Sequence, residues 1–202
     1  MTDQPSPFFS PLVERAMRTA AIWHRGDVRK ATDTPYITHP ASVAMILIRA
    51  GFTDDCLLAA ALLHDVVEDT DCTLDELADE FPAAVVEYVA ALSEQKLDES
   101  GEKRSWKVRK EEHLEEVAAA PLEARAIVLA DKLHNLTAMC YDIEFDANLW
   151  SHFNASPADI LWYNRTMVTR AAGEDVSLQP LAEECRRLIA QLDATLEGRH
   201  AT

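Results

Sequence analysis

An all-α, single-domain bundle of about eight or nine helices is predicted from three observations. Ala, Leu and Glu dominate a chain of 202 residues with only five glycines, a composition that favours helix over strand. Apolar residues recur at helical spacing in segment after segment, and no run alternates convincingly as a half-buried strand would. With 48% hydrophobic and 27% charged residues, the chain can bury one proper core and is not a disordered polymer.

The elements follow in order. Leu12, Val13, Ala16, Met17, Ala20 and Trp23 share one helical face. Arg25 to Thr38, with Gly26, Pro35 and many polar residues, reads as an ordered loop. Pro40 stands in the first turn of a helix reaching about Arg49, where a missing amide donor costs nothing, and Gly51 ends it. A helix from Asp54 or Asp55 runs through LLAAALLHDVV and is apolar nearly all round, so it is expected at the centre. Thr73-Leu74-Asp75-Glu76 is a capping box opening a short helix, and Pro82 to Leu92 forms another. Residues 94–105 are expected as a polar, charged connection, followed by a helix from about Ser105 to Ala119. Leu122 to Met139 is a second strongly apolar helix, 140–155 is expected to be irregular, Ser156-Pro157 opens a helix to about Ala172, and Leu178 to Leu196 makes the last. Residues 1–202 are thus read as one domain.

Asp and Glu number 35 against 19 Lys and Arg, a formal charge of −16. Such a field repels a phosphate backbone, which excludes broad binding to nucleic acid polymers or anionic membranes but leaves room for one local basic pocket. Cys56, Cys72, Cys140 and Cys185 are far apart and form no C-x-x-C pair, as in reduced proteins of the cytoplasm. The N-terminus has no basic start followed by an apolar run, and no apolar stretch of about 18 residues occurs, so neither a signal peptide nor a membrane span is expected.

Two places break the apolar pattern, and such breaks tend to mark function. His64-Asp65 follows seven unbroken Leu and Ala residues, and Glu68-Asp69 follows Val66-Val67. A carboxylate on a buried helix costs several kcal/mol (about 3–5) unless it is paired or bound to a cation. Helical spacing brings Asp65 near Glu68 and Asp69, where the acids repel each other without a cation between them. In the second place Asp131 interrupts AIVLADKL, with His134 and Asn135 one turn on. His39, at a loop–helix junction before Pro40, can turn its imidazole inward. Two imidazoles and two carboxylates suit a divalent ion such as manganese or iron. With four protein ligands, such an ion keeps room for water and a substrate oxygen, the arrangement a hydrolase needs.

The stretches RGDVRKATDTPYITHP, AALLHDVVEDTDCTLDEL and VLADKLHNL resemble the hydrolase domain of the RelA/SpoT superfamily, within the HD-domain phosphohydrolases. The likeness covers about residues 12–139, with the helices of 156–197 completing the bundle, and the chain resembles a stand-alone small alarmone hydrolase. The resemblance implies a manganese ion on His39, His64, Asp65 and Asp131, with Glu68 and Asp69 positioning or deprotonating the attacking water. It implies Arg29 stacked on the nucleobase, Lys30 neutralising phosphate, and Asn135 near the ribose and the transferred phosphates. Phe153, Trp162 and Tyr163 are aromatic candidates for the nucleotide pocket, with core packing the stronger alternative for Tyr163. The implied reaction, part of the stringent response, is hydrolysis of the 3′-pyrophosphate ester of (p)ppGpp to GDP or GTP and pyrophosphate. The family's H-x-G-Q-x-R-K appears here with Asp27 in place of Gln, and the segment from Lys30 to Pro35 is one residue longer than usual. Both lie where base and phosphates rest, so (p)ppApp and the 2′-phosphate of NADPH stand as alternative substrates. A non-catalytic nucleotide-binding regulator or antitoxin is the alternative of another class. No residue signals a toxic alarmone synthetase as partner, and none fixes the oligomeric state.

His24 reads as a phosphate contact or a hydrogen-bonded helix end, and His134 as support for the site. His113, His152 and His200 are expected to face solvent. The run Lys103, Arg104, Lys107, Arg109 and Lys110 reads as a solvated helix face, with the mouth of the pocket as the alternative.

Overall fold

The computed structural model describes residues 10–30, 32–94, 96, 100–146 and 148–200. The N-terminal segment 1–9 and positions 95 and 97–99 of the expected polar connection lie outside the described residues, as does the side chain of His200. The described residues form ten α-helices: α1 (Pro11–Trp23), α2 (Thr38–Arg49), α3 (Asp55–Leu63), α4 (Val66–Asp69), α5 (Leu74–Glu80), α6 (Ala83–Leu92), α7 (Trp106–Ala119), α8 (Leu122–Phe145), α9 (Pro157–Ala172) and α10 (Gln179–His200). A 3-10 turn, Leu149–His152, lies between α8 and α9. Apart from the single turn α4, these are the nine helices the periodicity predicts.

Local chemistry sets the helix starts. The Asp54 carboxylate accepts from the Leu57 amide at 2.9 Å, satisfying one of the donors that a helix start leaves open. Thr73 and Glu76 form the expected reciprocal box, each side chain accepting the other's amide. Ser105 and Ser156 cap α7 and α9 in the same way, with Pro157 at the first position of α9.

Packing follows from which faces are apolar. Every residue from Leu57 to Leu63 on α3 is buried, because α1, α2 and α6 cover it on different sides. Helix α8 is the second axis and touches α2, α3, α6, α7, α9 and α10. It runs further than the sequence predicts, to Phe145 instead of Met139, so part of 140–155 is regular. Leu136, Met139, Cys140 and Ile143 are all buried at helical spacing, so the core-facing stripe continues and carries the helix with it.

The expected helix through HDVV is interrupted. The chain turns at His64-Asp65, and Asp65 is the residue preceding the single turn of α4. The loop before α2 is tied by an isolated bridge between Val28 and Pro35, with the Arg29 amide donating to the Thr34 carbonyl at 2.9 Å. Among the described residues, no helix is long and apolar enough to cross a membrane, and all four cysteines are free.

Leu63 is fully buried at the end of α3, so Leu63→Ala is expected to destabilise the fold by about 2–5 kcal/mol in urea titrations. Thr73→Ala, which removes only a cap, is expected to cost about 1 kcal/mol. Equal losses at the two positions would overturn this account of the core.

Candidate metal centre

The interruption after α3 places His64 and Asp65 at a helix end, facing α8 and the start of α2. His64 Nδ1 lies 2.8 Å from the Ala61 carbonyl. A carbonyl only accepts, so Nδ1 carries a hydrogen, and Nε2 is the nitrogen left to hold either a proton or, through its lone pair, a cation. That Nε2 is buried and has no hydrogen-bond partner, yet it stands 3.1 Å from Asp65 Oδ2 and 3.9 Å from Asp131 Oδ1. His39, in the first turn of α2 and 1% exposed, approaches the same carboxylates with Nε2, at 3.1 Å from Asp131 Oδ1 and 3.4 Å from Asp65 Oδ2. Its other nitrogen meets His134 Nδ1 at 2.8 Å, the supporting role expected of His134.

One donor atom each from His39, His64 and Asp131 lie within 4.8 Å of one another, and Asp65 Oδ2 faces both histidines. An orphaned imidazole nitrogen aimed at two carboxylates fits a divalent cation held by two nitrogens and two oxygens. The electrostatics agree. Burial works against ionisation of Asp65, but His64 and His39 outweigh it and hold the carboxyl well below its usual range. For Asp131 burial is likewise overcome, first by Lys132 and then by His39. His64 shows the converse: burial lowers its affinity for a proton, but Asp65 outweighs that and raises the imidazole to about 9. The cluster draws positive charge inward.

The surrounding groups fix the carboxylates. The Tyr36 hydroxyl donates to Asp65 Oδ2 at 2.6 Å and lies 3.5 Å from Asp69 Oδ2. Burial first and Asp65 second push the Tyr36 phenol far above its usual range, so it remains a donor. Lys132 Nζ donates to Asp131 Oδ2 at 2.8 Å, Asn135 Nδ2 to Asp131 Oδ1, and Arg29 Nη2 to Asn135 Oδ1 at 2.6 Å. Arg29 also lies over the Tyr36 ring, 5.6 Å from its centroid, and Lys30 lies over Phe153 at 5.3 Å. Arg29, Lys30 and Asn135, drawn from distant parts of the sequence, meet in one cavity of about 880 Å³ with the four candidate ligands.

Glu68 and Asp69, on α4, line this cavity too. Burial and then the Glu94 carboxylate raise Glu68 above its ordinary range, against the opposing pull of Lys96. Lys96 donates to the Glu68 carbonyl at 2.6 Å and to Asp69 Oδ1 at 2.9 Å. Asp27, the departure from the family pattern, turns its carboxylate to His24 Nδ1 at 3.1 Å and closes its own turn. The helix-end role of His24 is the one the geometry favours.

Some expectations need correction. His113 is buried, 7% exposed, because Glu94 Oε1 lies 3.1 Å from its Nδ1 and the Tyr163 hydroxyl 3.2 Å from the same atom. The polar connection is not all solvated: Glu94 is buried and takes Arg109, Lys110 and His113. Lys107 of the basic run is exposed at 72%, but Arg109 and Lys110 turn inward and line the cavity. Tyr163 does both things considered for it, buried at 6% and lining the cavity. Trp162 packs near Trp106, ring centroids 6.5 Å apart, and His152 is exposed as expected. Lys96, Glu94 and Lys132 are absent from the sequence-derived site, whereas Arg109 and Lys110 fall on the pocket-mouth alternative given for the basic run. Only Lys132 had a legible signal, an ammonium beside Asp131 inside an apolar helix.

His113 and Lys110 outweigh the burial of Glu94 and lower its carboxyl to about 2. A depressed carboxyl stabilises the fold above its unfolded value, near 4.3, and loses that contribution as pH falls through the folded one. The stability difference between wild type and Glu94→Gln, from urea titrations, is therefore expected to be full above about pH 4.5 and to close toward pH 2. A difference that stays constant across this range would contradict the assignment.

Residues 16–146 match the family model described as HD domain. The chain is 42% identical over 134 residues to a Streptomyces coelicolor protein named GTP pyrophosphokinase, covering 64% of this chain and 15% of that one. It is 44% identical over 119 residues to the mouse guanosine-3′,5′-bis(diphosphate) 3′-pyrophosphohydrolase MESH1, covering 58% of this chain and 63% of that protein. The Xenopus tropicalis MESH1 is 37% identical over 127 residues, 62% of this chain and 68% of the relative. The match thus spans a small part of the Streptomyces protein and about two thirds of the animal ones. A solved structure described as a metazoan ortholog of SpoT that hydrolyses ppGpp superposes with a TM-score of 0.73 at 28% identity, covering 90% of this chain and 97% of that one. The chain therefore belongs to the HD-domain family, in the RelA/SpoT-like group that includes the MESH1 proteins.

Proposed function

We propose that this chain hydrolyses (p)ppGpp at its 3′-pyrophosphate, giving GDP or GTP and pyrophosphate. The observation that carries this reading is the meeting of His39, His64, Asp65 and Asp131 in a cavity that also holds Arg29, Lys30 and Asn135. The names of the MESH1 relatives and of the superposed SpoT ortholog support the substrate. The four free cysteines accord with a cytoplasmic setting, and residues 1–202 are taken to act as one domain.

His39, His64, Asp65 and Asp131 would hold a divalent cation, manganese in this reading. When bound, that ion supplies Lewis acidity toward a phosphoryl oxygen and lowers the pKa of water. The chain's own residues do the rest. Tyr36 keeps Asp65 oriented, while Lys132 and Asn135 keep Asp131 oriented. Glu68, made more basic by burial, accepts a proton from the attacking water. Asp69, tied by Lys96, helps to orient that water. Arg29 offers its plane to the base, Lys30 offers charge to phosphate, and Asn135 faces the ribose. The water oxygen bonds to phosphorus, the bond from phosphorus to the 3′-oxygen breaks, and that oxygen takes a proton from solvent, to which Glu68 returns the one it accepted.

Wild-type protein supplied with manganese is expected to release pyrophosphate, not orthophosphate, from ppGpp, and chelation is expected to stop it. His64→Ala and Asp65→Ala are expected to abolish release while circular dichroism stays unchanged. Glu68→Gln is expected to lower kcat by about 10²–10⁴-fold with the metal content of the protein retained. Wild-type rates in the His64 or Asp65 variant would overturn the site. Turnover of ppApp or NADPH in preference to ppGpp, in a side-by-side panel, would overturn the substrate.

A further inference from the structure

The cavity has a second polar wall that the reaction as described does not use. It is built around Glu94, whose side chain is 3% exposed. Arg109 Nη1 reaches Glu94 Oε2 at 3.1 Å, while Lys110 Nζ and His113 Nδ1 share Oε1. Burying a carboxylate costs several kcal/mol (about 3–5) unless its partners are held in place. Here one negative charge is shared by two permanent cations, so the group keeps net positive charge. An ammonium has three donors and a guanidinium five, and Glu94 engages only some of them. Lys110 and Arg109 are 18% and 19% exposed, and both line the cavity.

The placement relative to the candidate metal centre is specific. Lys132 Nζ, bonded to Asp131, lies 5.5 Å from the centroid of the Tyr163 ring, and Lys110 Nζ lies 4.7 Å from the same centroid. The ammonium bonded to Asp131 and the ammonium on the second wall therefore both lie against one aromatic ring. Two cations on one ring in one cavity, only one of them bonded to a candidate ligand of the metal, suit two linked phosphoryl groups better than one.

We infer that Lys110 and Arg109, positioned by buried Glu94 and His113, form a subsite for the outer phosphoryl group of a diphosphate, so that this chain selects diphosphate over monophosphate esters. The inference rests on the hydrolase reading above and adds to it the residues that recognise the leaving diphosphate. Glu94 and His113 act through Lys110 and Arg109 and are positioning residues.

Inorganic pyrophosphate and orthophosphate, titrated by calorimetry into the full chain with manganese in excess in cell and syringe, test this directly. Wild type is expected to bind pyrophosphate at least about tenfold more tightly than orthophosphate, the scale of one charge-assisted hydrogen bond. Lys110→Met is expected to bring the two affinities within about twofold by weakening pyrophosphate alone, and Lys110→Arg to restore the preference. Arg109→Met, which leaves Lys110 on Glu94, is expected to shift the preference the same way, and thermal unfolding checks each variant for folding. An unchanged preference in Lys110→Met and Arg109→Met, or an equal loss for both anions, would overturn the subsite. Parallel assays of ppGpp turnover separate the two claims. Pyrophosphate preference lost in Lys110→Met, without ppGpp hydrolysis by wild type, would sink the function and keep the subsite. Hydrolysis by wild type, with pyrophosphate bound no better than orthophosphate, would sink the subsite and keep the function.

Discussion

The structure depends on one constraint: two carboxylates on the core side of the bundle, Asp65 just past the end of α3 and Asp131 within α8. Alone, either acid in that position would cost more than a small domain can spare. They are tolerated because each meets both imidazoles, His39 and His64, and each is bonded from outside, Asp65 by Tyr36 and Asp131 by Lys132 and Asn135. The break between α3 and α4 follows from the same constraint. An unbroken helix would spread His64, Asp65, Glu68 and Asp69 along and around one cylinder. Turning the chain at His64-Asp65 sets the first pair against α8 and leaves Glu68 and Asp69 on a separate turn lining the cavity.

Apolar periodicity made the helices legible, because nine of them have a face that must be buried. The reading failed where packing extended a pattern past a polar stretch, as at α8, whose stripe continues through Cys140 and Ile143 under a surface bearing Tyr141 and Asp142. The candidate ligands were legible for a different reason: an acid in a run of Leu and Ala contradicts its surroundings. Glu94 and Lys96 contradict nothing locally, since charged residues surround them in sequence. Only tertiary packing shows that Glu94 is buried. His113 was misjudged likewise, because α7 is rich in charge on most of its circumference and its buried face is narrow.

The elements divide the work of the cavity. The loop before α2, with α2, α3 and α4, supplies Arg29, Tyr36, His39, His64, Asp65 and Glu68, most of the acid and imidazole chemistry. The segment after α6, with α7 and α9, supplies Glu94, Arg109, Lys110, His113 and Tyr163. Helix α8 joins the halves, giving Asp131 to the first and Lys132, at the adjacent position, to the second through the Tyr163 ring. Successive residues on a helix point about 100° apart, so one dipeptide can serve both walls only where the helix edge faces into the cavity.

That geometry bears on how a protein with formal charge −16 would accept the proposed polyphosphate substrate. Over distances beyond about 10 Å the surrounding salt screens the surface acids, so attraction must come from charges close to the ligand. Arg29, Lys30, Lys96, Arg109, Lys110 and Lys132 all line the one cavity, almost a third of the 19 basic residues of the chain. Several are already tethered to a specific acid: Lys96 to Asp69, Lys110 to Glu94, Lys132 to Asp131. A tethered cation loses little conformational entropy when an anion arrives, because its rotamer is already fixed. The acids inside the cavity therefore do not cancel its attraction for phosphate. They hold the cations in place and leave donors free.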